Sequence, residues 1–166
     1  SGHAVLVALL RESDHFGVHF FGGFGHHLAR GHHGLDVVLA ERSDVFDALR
    51  HLFDTFFHSL ENNWNPNDIL LSGVGFTLSI ASYLRGVAQN GYLTDGVWLS
   101  IGYPVGAATG VAQACKRMAE DKRTFVVIGD GAFQEVCQAV SDQNFHGQNN
   151  VIFVLSNTIY GIEQFL

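Results

Sequence analysis

The sequence predicts an α/β protein built on an open, mostly parallel sheet with helices on both faces. Three observations carry that expectation. Thr124-Phe-Val-Val-Ile is an apolar run rich in β-branched residues that ends abruptly at Gly129-Asp130-Gly131. Val151-Ile-Phe-Val-Leu-Ser is a second such run, and it ends at Asn157. Between them Phe133, Val136, Cys137 and Val140 recur at steps of three and four, the spacing of one helix face. Strand, helix and strand in that order make a right-handed crossover with parallel strands. Parallel strands bring their C-terminal ends to one edge, where open α/β sheets bind ligands. Asp130 and Asn157 are therefore expected to be neighbours in space.

The remaining elements follow in chain order. Ala4 to Leu10 and Phe16 to Phe21 are short apolar runs that read as two strands, or as one helix turn and one strand, and Leu35 to Ala40 is another short strand candidate. The stretch from Gly22 to Gly34 is too rich in glycine for a helix and reads as a loop. From Asp44 to Leu60, Val45, Phe46, Leu49, Leu52, Phe53, Phe56, Phe57 and Leu60 form an apolar stripe at helical spacing, with Ser43 or Asp44 to cap it. Glu61 to Asp68 is a polar turn region and the strongest linker candidate. Ile69 to Ser72 reads as a strand ending at Gly73 and Gly75, and Phe76 to Leu84 as a helix. Val97 to Gly102 precedes a helix crowded with small residues from Gly106 to Ala114, which permits close backbone packing.

Composition narrows the function classes. The chain has 166 residues, 47% hydrophobic and 15% charged, which indicates a well-buried globular protein rather than a disordered one. A formal charge of −7 leaves no basic stripe to neutralise phosphates, which argues against nucleic acid as a partner. No apolar run reaches membrane-spanning length, so a soluble protein is expected. Cys115 and Cys137 fall on expected buried helix faces, which suggests reduced thiols and a cytoplasmic setting. The chain opens on Ser1 without Met and stops at Leu166, close after its richest motif, so a cut from a longer protein is expected at both ends.

Gly129-Asp130-Gly131 is neither a dinucleotide fingerprint, which needs a third glycine, nor a P-loop, which needs Gly-Lys-Ser/Thr. One carboxylate and one amide carbonyl just beyond adjacent strand ends, with flexible glycines between strand and helix, suit a hard cation holding a phosphate. Asp130 and Asn157 would each supply an oxygen to Mg²⁺, and a diphosphate most of the rest.

Gly-Asp-Gly, a helix, a strand and then Asn resembles the signature of thiamine-diphosphate enzymes. Trp98-x-Ser-Ile-Gly102 and Asn157-x-x-Tyr160-x-Ile-Glu163 are similar to the pyruvate and indolepyruvate decarboxylase group, and the resemblance covers roughly Asn65 to Leu166. It implies a truncated thiamine-diphosphate-binding fold, with thiamine diphosphate and Mg²⁺ as cofactors. It also implies non-oxidative decarboxylation of a 2-oxo acid, pyruvate or an aromatic pyruvate, to the aldehyde and carbon dioxide. Asp130 and the Asn157 side chain would bind Mg²⁺, with the Ile159 carbonyl as the third protein ligand. Gly129, Gly131 and Ala132 would approach the diphosphate. The Leu99 carbonyl would accept a hydrogen bond from the cofactor's 4′-amino group, beside Ser100, and Ile101 would hold the two rings bent. Tyr160, Gly161 and Ile162 would line the cofactor and substrate pocket. Glu163 would be the catalytic acid/base, its pKa raised by Ile162 and Phe165 beside it.

Three positions depart from the family pattern: Ala132 replaces a common hydroxyl residue, Gly73 stands near where Thr or Ser is often found, and Thr158-Ile159 replaces a glycine-containing pair. His26, His27, His32 and His33 share one loop and are expected to be solvated rather than metal-ligating. Trp98, Tyr103 and Phe133 are expected to pack rather than to cage a substrate. The resemblance further implies that residues 1–43 end a central domain and residues 44–166 form a C-terminally incomplete diphosphate-binding domain. A pyrimidine-binding domain from a second subunit would complete the site, within a homodimer or homotetramer, so this chain alone should not turn over. The alternatives are a carboligase or acetolactate-synthase-like enzyme of the same superfamily, or a non-catalytic cofactor-binding subunit.

Overall fold

The computed structural model describes residues 6–11, 44–157 and 160–164. The expected strands at Phe16–Phe21 and Leu35–Ala40, the glycine-rich loop with its four histidines, Ile159 and Phe165 lie outside the described residues.

The described residues form a five-stranded sheet in the order β1-β5-β4-β2-β3, parallel at every pairing. The strands are β1 (Leu6–Arg11), β2 (Ile69–Ser72), β3 (Tyr92–Thr94), β4 (Thr124–Gly129) and β5 (Val151–Ser156). The helices are α1 (Asp44–Asn62), α2 (Phe76–Ala81), α3 (Tyr103–Arg117), α4 (Asp130–Val136) and α5 (Ala139–Phe145), and a 3-10 turn spans Gly161–Gln164. β1 pairs with β5 in register from Leu6 opposite Val151 to Arg11 opposite Ser156. β3 is an addition to the expected elements. It is three residues long and, among the described strands, pairs only with β2 at the sheet edge, so no apolar run of its own announces it.

Alternate residues of each strand go to opposite faces, as the pleat requires. Ile69, Leu71, Val126, Ile128, Ile152 and Val154 build one core with Val105, Ala108 and Cys115 of α3, and Phe133, Val136 and Val140 pack onto it. Leu70, Val127 and Leu155 face the other way and meet Phe57 of α1 and Ala81 of α2, joined by Phe53, Phe56 and Leu60. Both faces are thus covered, which is why β2, β4 and β5 read as unbroken apolar runs rather than alternating ones. The polar turn after α1 is tacked to this sheet: Trp64 meets Phe125 edge to face at 5.3 Å between ring centroids, and Asp68 Oδ1 accepts the Arg123 N–H at 2.9 Å.

Several expectations need correction in detail. The single helix expected between β4 and β5 is two, interrupted at Cys137-Gln138. Cys137, at that interruption, is exposed while Cys115 is buried, so only one of the two thiols is a core residue. α2 stops at Ala81 rather than Leu84, where the Ser82 hydroxyl donates to the Ser79 carbonyl at 2.8 Å. Phe133 packs as expected, but Trp98 is 85% exposed and Tyr103 38%.

Strand order sets where a ligand can go. From β2 the chain moves outward to β3, then crosses back over β2 to reach β4, and continues to β5. The connections leaving β2 and β4 therefore run in opposite directions and on opposite faces, α2 on one and α4 on the other. Loops that diverge in this way open a crevice at the carboxyl ends of the two strands.

Candidate functional site

The crevice holds a pocket of about 210 Å³. Val74 to Thr77 line it from the loop after β2, and Leu99 and Ile101 from the segment before α3. Gly129, Asp130, Gly131 and Ala132 enter from the end of β4, and Asn157 and Tyr160 to Glu163 from beyond β5. Phe53 of α1 and Leu155 of β5 add apolar surface.

Asp130 is the most constrained of these residues. It is 9% exposed at the first position of α4. Its Oδ2 accepts the Ser156 hydroxyl at 2.9 Å, and its Oδ1 accepts the N–H of Gly131 at 3.0 Å. Ser156 ends β5 and is itself buried, so the carboxylate ties the ends of two adjacent parallel strands together. The next residue, Asn157, faces the same pocket. The neighbourhood expected for Asp130 and Asn157 is therefore present.

At Gly131 a side chain would displace a neighbour from the loop beyond β5. A Cβ there would stand 2.7 Å from Cζ of Tyr160, whose ring lies over the glycine. The Tyr160 hydroxyl in turn donates to Glu135 Oε1 at 2.9 Å, which links the segment beyond β5 to α4. That bond to a carboxylate holds the tyrosine pKa above its ordinary 10.0, with burial and the negative charges of Glu135 and Asp130 acting in the same direction. Ile162 reaches back toward the β2 loop, and Glu163, its N–H bonded to the Tyr160 carbonyl at 3.0 Å, stands exposed at the rim. Ile162, expected beside Glu163, lines the same pocket, and Phe165, the other expected neighbour, lies outside the described residues.

Among the described residues, Ser100 is the expected site residue that does not line the pocket. Its N–H donates instead to Asp95 Oδ2 at 3.1 Å. Leu99 lines the pocket with a left-handed backbone, φ 55°. Ala132 does so too while packing against the core beneath α4. Phe53, Val74, Phe76 and Thr77 were not anticipated as site residues. Gly73 and Gly75 mark the end of β2, but only the strand order shows that this end abuts the end of β4. At Gly73 a side chain would crowd Ile128 Cγ1 at 3.3 Å and Thr77 Oγ1 at 3.4 Å. The Thr77 hydroxyl already donates to the carbonyls of Gly73 and Val74, both at 2.9 Å. Among the described residues no group of three or more His, Cys, Asp or Glu side chains could hold a metal by itself. Nor is any described helix long and apolar enough to cross a membrane.

The family described as "Thiamine pyrophosphate enzyme, C-terminal TPP binding domain" matches residues 73–165, a span that contains all the pocket loops. The chain belongs to that family. Its Asp130, Asn157 and Glu163 all lie within the matched span. Among curated relatives it is 44% identical over 110 residues to "Pyruvate decarboxylase 2" of Oryza sativa subsp. japonica, covering 66% of this chain and 18% of that one. It is 28% identical over 135 residues to "Thiamine metabolism regulatory protein THI3" of Saccharomyces cerevisiae, covering 78% of this chain and 20% of that one. A solved structure of a putative thiamin diphosphate-dependent enzyme from Mycobacterium smegmatis shares the fold. Its TM-score is 0.59 and its identity 24%, over 64% of this chain and 21% of that one. The chain spans 18% to 21% of the length of these three proteins.

Proposed function

We propose that residues 44–166 supply the diphosphate- and Mg²⁺-binding part of a thiamine-diphosphate-dependent decarboxylase. It would convert a 2-oxo acid, pyruvate or an aromatic pyruvate, to the aldehyde and carbon dioxide. One observation carries this reading: Asp130, Asn157 and Glu163 line a single pocket together with Leu99 and Ile101. The residues fit the cofactor. A buried carboxylate oriented by a serine hydroxyl, beside an amide, is a hard-oxygen donor set of the kind Mg²⁺ takes when phosphates complete its shell. The apolar side chains of Phe53, Val74, Ile101 and Ile162 suit the rings.

Bound thiamine diphosphate supplies the electron sink for the charge left when carbon dioxide departs. The chain's own residues do the rest. Asp130 and Asn157, with the Ile159 carbonyl, would hold Mg²⁺ and through it the diphosphate, and the amides of Gly131 and Ala132 would meet the phosphate oxygens. Ile101 would brace the two rings, with the Leu99 carbonyl accepting from the 4′-amino group. Glu163 would deliver and receive the proton at the reacting carbon. Its exposure at the rim agrees with a site closed by another chain. A pyrimidine-binding domain of a second subunit would provide the missing wall, within a homodimer or homotetramer in the cytoplasm.

Calorimetry of the complete protein with thiamine diphosphate and Mg²⁺ tests the cofactor reading, and absence of binding would sink it. Glu163→Gln should lower decarboxylation by about 10²- to 10⁴-fold while leaving cofactor affinity nearly intact. An unchanged turnover would reject the role of Glu163. The likeness to a protein named as a regulator of thiamine metabolism favours one second reading, a cofactor-binding subunit without turnover. Tight binding with no aldehyde formed from any 2-oxo acid would select it.

A further inference from the structure

We propose that Asp95 is a positioning residue for the pocket: its carboxylate fixes the turn Trp98-Leu99-Ser100, so that Leu99 and Ile101 face the cofactor. Asp95 follows β3 and does not itself line the pocket. Its Oδ1 accepts the N–H of Trp98 at 3.2 Å and its Oδ2 accepts the N–H of Ser100 at 3.1 Å. The two oxygens thus grip the amides on either side of Leu99, which sits between them at φ 55°. That region is uncommon for a leucine, because Cβ crowds the following carbonyl oxygen. Something must hold it there, and side-chain burial does not. Val97 and Trp98 are each 85% exposed, Leu99 51% and Ile101 44%. The carboxylate is held in its charged form, its pKa lowered first by the Ser100 hydroxyl and then by the backbone N–H groups of Ser100, Trp98 and Val97. Strained backbone that persists without packing, beside a pocket, marks a conformation kept for function. β3 is the shortest strand and lies at the sheet edge, so it gives the following segment little support of its own. The side chain of Asp95 supplies the register that the sheet does not.

The proposal rests on the reading that this pocket takes thiamine diphosphate, and the test separates the two. In the complete protein with Mg²⁺, Asp95→Ala should raise the Kd for thiamine diphosphate about tenfold, the scale of losing both charge-assisted bonds at an exposed site. Asparagine tolerates the left-handed region far better than leucine. In a Leu99→Asn background the same Asp95→Ala change should therefore cost less than about threefold, a rescue that a general stabilising role would not give. Hydrogen exchange without cofactor provides a readout independent of binding: the amides of Trp98 and Ser100 should exchange faster in Asp95→Ala. If the unsubstituted protein takes no cofactor, the cofactor reading falls and this proposal with it. If it binds and Asp95→Ala leaves Kd unchanged, or if the penalty is equal in both backgrounds, the Asp95 proposal alone is overturned. Unchanged exchange at both amides overturns it as well.

Discussion

Gly102 caps the N-terminus of α3 with φ 85° and ψ −9°, and it is seated against Val136 of α4. Replacing it with alanine brings two separable costs. The left-handed backbone costs a residue with a Cβ about 1–2 kcal/mol. The new methyl would also stand 2.5 and 2.9 Å from the two γ-methyls of Val136 and 3.3 Å from its Cβ. Val136 is β-branched and ends α4, so its χ1 has little freedom to swing away. Such overpacking costs about 1–3 kcal/mol. The sum is about 2–5 kcal/mol, which for a domain of this size lowers Tm by roughly 4–20 °C. Thermal and urea unfolding of the complete protein measure it. Val136→Ala makes room for the methyl but leaves the backbone cost, so the double-mutant cycle should show about 1–3 kcal/mol of favourable coupling. A fall in Tm below about 2 °C for Gly102→Ala, or no coupling to Val136, would refute the reasoning. Ile101 immediately precedes this glycine, so the same substitution should also loosen the pocket wall.

Gly131→Ala adds a helix-favouring residue to the first turn of α4 but pushes Tyr160 off its seat, so Tm should move by less than about 2 °C while calorimetry shows weaker cofactor binding. Unchanged affinity would show that the tyrosine's placement does not matter to the pocket. Asp130→Asn keeps the shape but removes the charge that would hold Mg²⁺, so the Mg²⁺-dependent part of cofactor binding should disappear in calorimetry with and without a chelator. Persistence of that Mg²⁺ dependence would exclude Asp130 as a ligand. Tyr160 has a raised pKa because its protonated hydroxyl donates to Glu135. That contribution is complete below the ordinary tyrosine pKa and is lost as pH rises through the raised value. In Glu135→Gln, ultraviolet titration should show Tyr160 ionising at lower pH than in the unsubstituted protein, and an unmoved titration would break the link.

The sequence by itself determined the fold class and many of the residues that line the pocket. β2, β4 and β5 are buried on both faces, so their apolar runs are continuous and legible without any tertiary information. Asp130 and Asn157 each follow such a run directly, and parallel pairing then brings them together. Tertiary structure decided what depends on contacts distant in the chain. The end of β2 lies beside the end of β4, which makes Val74 to Thr77 a pocket wall, and no local pattern encodes strand order. β3 is too short to carry a periodicity, and Cys137, which helical spacing placed inward, is exposed. The covering of Gly131 by Tyr160 joins the loops that follow two different strands. Residue type and period report on a residue's own element. Which elements meet is settled by packing, and the detail of this pocket was therefore decided by the assembled sheet.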